Sequence, residues 1–261
     1  MSATITSVSA PFSQTKPRAR VDLGRWFYSF AAILMLACVM VGFERFYLHG
    51  RSFPDREITP PIKALVISHG ITMMLWILLF IAQPLLAATR NIKVHMTMGK
   101  IGAVLAAAIL VLGCMIGVQS AKFTPPDAFI MGFTPKQFVA VPVLSVFFFA
   151  GMVGVAIWQR KKPAIHRALM LGATLGVISA ALNRIPALNE LYMGTIWDRV
   201  FGPFFAAVVL GLVLVALRSV LIRTFDKWLT ISVLGVSAWS AIIVVVAKSG
   251  PWESFASVLL Q

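Results

Sequence analysis

Seven long apolar runs dominate this chain, near residues 26–43, 62–88, 99–118, 138–158, 166–185, 200–217 and 228–247. Each comes close to the roughly 20 residues a helix needs to cross a hydrocarbon core about 30 Å thick. Inside the runs the apolar residues are continuous and do not alternate, which excludes the strand pattern of a membrane barrel. Of the 261 residues, 59% are hydrophobic, and the mean hydropathy is +0.88. That is more apolar surface than a water-facing domain of this size can hide. The expectation is an all-α polytopic transmembrane bundle of seven helices over residues 26–247. A basic cytoplasmic tail (1–25) precedes it and a short external tail (248–261) follows.

Charge gives the bundle a direction. Lys16, Arg18, Arg20 and Arg25 precede the first run, and Arg90, Lys93 and Lys100 join the second to the third. Arg160, Lys161, Lys162 and Arg167 join the fourth to the fifth, and Arg218, Arg223 and Lys227 the sixth to the seventh. These are 14 of the 23 Lys and Arg, all on one side, and that side holds only Asp22 and Asp226 of the nine acids. Cations stay cytoplasmic, so the orientation reads N-in and C-out, in a bacterial cytoplasmic membrane. The net charge of +14 is thereby a topology signal. Cations split among four short segments form no single patch, which argues against a nucleic-acid partner. The first run ends in Phe43-Glu44-Arg45-Phe46 without a small-residue cleavage pattern, so it is not expected to be a cleaved signal. Cys38 and Cys114 fall inside apolar runs and read as small packing residues.

On the opposite side the joints are longer, about 44–61, 119–137 and 186–199, broken by Pro54, Pro60, Pro61, Pro125, Pro126 and Pro135. Phe123, Phe129, Phe133, Tyr192 and Trp197 suit an interfacial aromatic belt, and these segments are expected to fold over the bundle as a partial roof. Gly202-Pro203 marks a bend in the sixth run.

Two segments echo each other. Asn91-Ile-Lys-Val-His95 opens the third run and Lys162-Pro-Ala-Ile-His166 the fifth. Asn91 suits an N-cap and Pro163 a first helical residue, so each His lies in the first turn or so of its helix at the cytoplasmic end. The hairpins 62–118 and 138–185 then read as a parallel duplication. Two neutral imidazoles at matching depth can hold one haem iron from both sides. Helix N-termini and neighbouring cations disfavour the imidazolium, and Lys93, Lys100, Arg160, Lys161, Lys162 and Arg167 can pair with propionates. Gly99, one turn beyond His95, leaves room for a flat ring. Its counterpart in the second copy is Met170. Gly113–Gly117 and Gly172–Gly176 have the spacing of helix packing. An interfacial His that merely hydrogen-bonds is the competing reading.

From His69 through Gln83-Pro84, Arg90 and His95 to Gly99, the chain resembles a family of uncharacterised bacterial multi-span membrane proteins, which carries no function across. It is more distantly similar to the transmembrane di-haem b-type cytochromes, whose four-helix core carries one His per helix. That likeness implies axial ligands at His95 and His166, and a further ligand at His69. The fourth His is missing. The offset between the copies maps His69 onto Ala140, and the fourth run contains no His. At most one haem b is implied, near the cytoplasmic face, with a quinone or another redox protein completing any transfer across the bilayer.

His69 lies about seven residues into the second run, roughly 10 Å below the outer face at about 1.5 Å per residue. It is expected to line an outward-facing cavity with Asn183, Arg184, Glu190 and Asp198, suited to a quinone, lipid or small anion, or else to make one structural hydrogen bond. No acidic residue sits at mid-span, which argues against a proton- or sodium-coupled carrier, and no nucleotide or hydrolase motif is present. Two function classes stay open: a single-haem redox protein, and a cofactor-free accessory, assembly or ligand-binding membrane protein that uses the outer cavity.

Overall fold

A computed structural model describes residues 23–52 and 56–261. Residues 1–22 of the expected basic tail, and Pro54, lie outside the described residues. The chain runs through α1 (Leu23–Gly42), α2 (Glu44–His49), a two-residue hairpin of β1 (Arg51–Ser52) and β2 (Arg56–Glu57), and a 3-10 turn at Pro60–Ile62. Next come α3 (Lys63–Ala88), α4 (Ile92–Lys122), α5 (Pro135–Phe138), α6 (Ala140–Trp158), α7 (Pro163–Leu182), α8 (Pro186–Glu190) and α9 (Ile196–Phe201). A 3-10 turn at Gly202–Phe204 leads into α10 (Phe205–Ile222), α11 (Lys227–Ala247) and α12 (Gly250–Leu259). Six helical stretches are long and apolar enough to cross a membrane: Pro60–Ala88, Ile92–Lys122, Pro135–Trp158, Pro163–Leu182, Ile196–Ile222 and Lys227–Ala247. The apolar part of α1, Trp26–Gly42, is shorter than these.

The bundle is organised around α7. Two-thirds of its apolar window is buried (67%), against 28% for that of α4. The cause is the run of small residues along α7 and its partners, which lets backbones approach. A Cβ on Gly172 would overlap Ser232 Oγ of α11, and one on Gly42 of α1 would overlap the Ala181 carbonyl. One on Gly211 of α10 would come within 2.6 Å of Leu175. Ser232 Oγ also donates to the Ala168 carbonyl at 2.9 Å, fastening α11 to α7. α4 packs on α6 by the same means: a Cβ on Gly113 would lie 2.5 Å from Val146, and one on Gly117 2.9 Å from Pro142. The four-residue glycine spacing of α4 is therefore a packing device.

At the end carrying the basic joints, Arg218 is buried (4% exposed) and its Nε bonds Asp226 at 3.2 Å. The same guanidinium donates to the Gly24 carbonyl and lies over the Phe27 and Tyr28 rings, while Asp226 caps α11 through Leu229 N–H. This cation, counted above as a topology signal, also locks the α10–α11 turn onto α1.

At the other end, Thr134 and Gln137 form a capping box for α5, and Trp252 Nε1 donates to the Lys136 carbonyl at 3.1 Å. Gln137 Nε2 bonds Glu253 at 2.7 Å. The loop before α5 and the C-terminal segment thus form a partial roof, and the expected external tail contains a docked helix, α12. Phe133 and Tyr192, assigned above to the aromatic belt, are buried in the protein (2% and 6% exposed), whereas Phe123, Phe129 and Trp197 remain exposed. The bend at Gly202-Pro203 is the 3-10 turn between α9 and α10, where Gly202 takes a φ of 47°.

Candidate functional site

His95 and His166 sit in the opening turns of α4 and α7, each three residues after the first helical residue, Ile92 and Pro163 respectively. Asn91 occupies the N-cap position of α4 but its side chain makes no capping bond, whereas Pro163 stands at the first helical position of α7 as expected. The bundle brings the two rings together: their centroids are 6.4 Å apart and their planes cross at 81°.

Each ring is held by a backbone carbonyl of the preceding helix. His166 Nδ1 bonds the Ala156 carbonyl at 2.8 Å. Ala156 lies in the last turn of α6, where carbonyls lose their helical partners; the Arg160 N–H that might have served it bonds Ile157 instead. His95 Nδ1 bonds the Gln83 carbonyl at 3.3 Å, and Gln83 Nε2 returns a bond to the His95 carbonyl at 3.2 Å. A carbonyl only accepts, so both Nδ1 atoms carry the proton and both neutral rings keep their lone pair on Nε2. That is the tautomer of a metal-ligating imidazole steadied from behind.

The spacing suits a shared metal. Two imidazoles bound through Nε2 at about 2 Å on opposite sides of one ion hold their ring centres about 6 Å apart. Among the described residues no group of three or more His, Cys, Asp or Glu is placed to hold a bare ion. Two His alone complete a metal's coordination only where other ligands arrive with it. Two further observations fit a bound molecule here. A Cβ on Gly99 would meet nothing closer than Gln83 Nε2 at 3.9 Å, so the space beside His95 is open. Gln83 Oε1 is buried and lacks a partner, unusual for an amide oxygen. Lys93, Lys100, Arg160, Lys161 and Lys162 are exposed around this end, and Arg167 lies over the Tyr28 ring at 5.2 Å. Deeper in, Trp76 of α3 stacks edge-on against Phe149 at 4.8 Å and donates to Thr174 at 3.3 Å. It fills the centre between α3, α6 and α7. Gln83 and Trp76 were not singled out above as site residues; only Gln83 stands in a motif quoted there.

The outer residues divide. His69 and Arg184 lie within electrostatic range of each other. Arg184 stacks on the Phe43 ring at 4.4 Å and donates to the Ala180 carbonyl. Burial lowers its guanidinium to about 10, still a cation at neutral pH. Asn183, by contrast, is turned into the protein (4% exposed). Its amide donates to the Pro203 carbonyl, and its side-chain oxygen faces the Tyr192 hydroxyl at 3.1 Å. Burial, then Asp198, pushes the Tyr192 phenol up to about 12, so it stays a donor. Asp198 accepts from Gly194 N–H at 3.0 Å, and Glu190 is exposed. Asn183 and Asp198 hold the α7–α9 connection in shape. The position matching His69 in the second hairpin, Ala140, is fully buried.

No family model, curated protein or solved structure matches this chain.

Proposed function

We propose that this membrane protein carries a single b-type haem between His95 and His166 and passes electrons at the cytoplasmic face. The observation that carries the reading is the pair of imidazoles 6.4 Å apart, each with Nδ1 bound to a backbone carbonyl. Bound there, the haem supplies a one-electron iron couple. The protein's own part is to hold two neutral rings with Nε2 free. Gln83 and Ala156 fix the tautomers and orientations, and Gly99 leaves the adjoining space open. The exposed lysines and Arg160 neutralise propionates at the membrane surface. Trp76 closes the middle of the bundle, and Ala140 gives the outer half no second ligand pair, so transfer across the bilayer requires a quinone or a redox protein. In the same reading α1 is a seventh crossing, the orientation is N-in and C-out, and the membrane is the bacterial cytoplasmic one.

The test is a reduced-minus-oxidised absorption spectrum of the protein purified in mild detergent after expression with added haem. A sharp α-band at near-stoichiometric haem is expected, lost in both His95→Ala and His166→Ala and kept in His69→Ala. A colourless, folded preparation overturns the reading. Alkaline phosphatase fused after residue 261 is expected to be active, and inactivity would reverse the orientation.

A further inference from the structure

His166 and Arg167 are neighbours in sequence but turn to different elements. His166 meets α4 and α6, whereas Arg167 crosses to α1 and lies over the Tyr28 ring at 5.2 Å. Arg218 of α10 lies over the same ring at 5.5 Å. Three helices thus meet on one phenol. Tyr28 is buried (7% exposed), and its hydroxyl has no hydrogen-bond partner.

The groups around that hydroxyl decide what it lacks. A guanidinium only donates, so neither Arg167 nor Arg218 can accept the phenol's proton. The carboxylate of this cluster, Asp226, gives one oxygen to Arg218 Nε at 3.2 Å and the other to Leu229 N–H at 3.2 Å. A buried O–H without an acceptor carries the full cost of its desolvation. Charge is short in the same place. Arg218 is neutralised by Asp226, whereas Arg167 is exposed and, among the described residues, has no carboxylate within 4.0 Å. The phenol and the guanidinium therefore want the same thing, an oxygen that carries negative charge. Both lie within the first two turns of their helices, at the end of the bundle that carries the basic joints. Lipid phosphates meet a spanning helix at that level.

We infer that Tyr28 and Arg167 bind a phosphate oxyanion between the starts of α1 and α7. One oxygen accepts the phenol O–H and another faces the planar guanidinium. Arg218, fixed by Asp226 and the Gly24 carbonyl, holds the ring in place. Arg167 is the exposed member, so the anion reaches the phenol by moving the end of a flexible side chain and not a helix. A phospholipid headgroup is one source of the phosphate and the free anion the other. The inference stands apart from the haem reading, because Arg167 points to α1 and His166 to α4 and α6.

The test uses the full-length purified protein in phosphate-free buffer. Its thermal unfolding is followed against phosphatidylglycerol in mixed micelles, against phosphatidylcholine and against inorganic phosphate. Tyr28→Phe keeps the ring under both guanidinium groups and removes only the hydroxyl. Without added ligand it is expected to unfold at or above the wild-type temperature, because it deletes an O–H that has no acceptor. Phosphatidylglycerol is expected to raise the wild-type temperature at concentrations about tenfold lower than for Tyr28→Phe or Arg167→Gln, the loss of one charge-assisted contact. Phosphatidylcholine, whose phosphate is paired with its own choline, is expected to act more weakly. A matching response to inorganic phosphate assigns the site to the free anion as well, and a response to the lipid alone assigns it to the headgroup. His166→Ala is expected to keep the lipid response, so failure of the haem reading leaves this result readable. Equal responses of the wild type and Tyr28→Phe to every probe, or equal action of the two lipids, overturn the inference.

Discussion

The hairpins α3–α4 and α6–α7 use one local device in two settings. In both, the His near the start of the second helix reaches back ten or twelve residues to a carbonyl of the first. In α6–α7 that carbonyl is a terminal one that its own helix has left without a partner, and the helix carrying the His is the buried centre of the bundle. In α3–α4 the carbonyl is that of Gln83, the residue before Pro84, the Gln83 side chain returns a second bond, and the His-bearing helix is much less buried than α7. The α6–α7 hairpin is held chiefly by the packing around α7. The α3–α4 hairpin is held by Trp76 against α6 and α7 and by the glycines of α4 against α6, with the His95–Gln83 clamp as an addition. The same sequence element therefore carries unequal structural weight in the two copies, while presenting the same nitrogen to whatever binds between them.

The comparison can be broken at its strongest point first. Gly172→Leu puts a side chain where Ser232 and Met152 already sit. A cost of about 3 kcal/mol or more is expected from overpacking the central helix, read as loss of the monodisperse peak in detergent. Gly99→Leu, at an open position of α4, is expected to leave that peak intact and, in the haem reading, to lower the haem retained per protein. Normal folding of Gly172→Leu would show that α7 is not the organising helix.

The His anchors come next. His166→Ala leaves the Ala156 carbonyl without its donor and is expected to cost about 2 kcal/mol, the penalty of a buried unsatisfied group. His95→Ala is expected to cost about half as much, because α4 is more exposed and the vacated groups can reach water. Unfolding in a denaturing detergent titration measures both. If His95→Ala is the more destabilising, the ordering of the hairpins is reversed. Trp76→Phe keeps most of the ring and removes the bond to Thr174 that links α3 to α7. About 1 kcal/mol is expected in the same titration. The smallest effect belongs to Gly99→Ala, which gains helix propensity at an uncrowded site and should stabilise by up to about 1 kcal/mol. Destabilisation there would mean that the space beside His95 is filled.

Much of the fold could be read in advance. The six long spans and the shorter α1 coincide with apolar runs, with ends shifted by several residues; α4, for example, begins at Ile92 where the run begins near 99. The echo around His95 and His166 was legible too, and the structure brings the two rings together. Their carbonyl partners were not, because Gln83 and Ala156 carry no mark in the sequence that distinguishes their backbone oxygens. Asn183 and Arg184 are adjacent and looked alike as cavity residues. Helix geometry turns one inward to Pro203 and Tyr192 and the other onto Phe43, a choice that depends on where α1 and the 3-10 turn at Pro203 pass. Arg218 looked like one more basic residue of a turn, and only its burial against Asp226 and the Gly24 carbonyl gives it a packing role.

What the sequence determined alone is the set of long apolar helices and the sidedness of charge, because a helix closes its hydrogen bonds within itself and hydropathy is a property of the segment. What the tertiary structure decided is which helix stands at the centre, which polar groups find partners, and which nitrogen each histidine leaves free. Those depend on atoms from segments far apart in the chain, such as Trp76 and Thr174, 98 residues apart, meeting at hydrogen-bond distance.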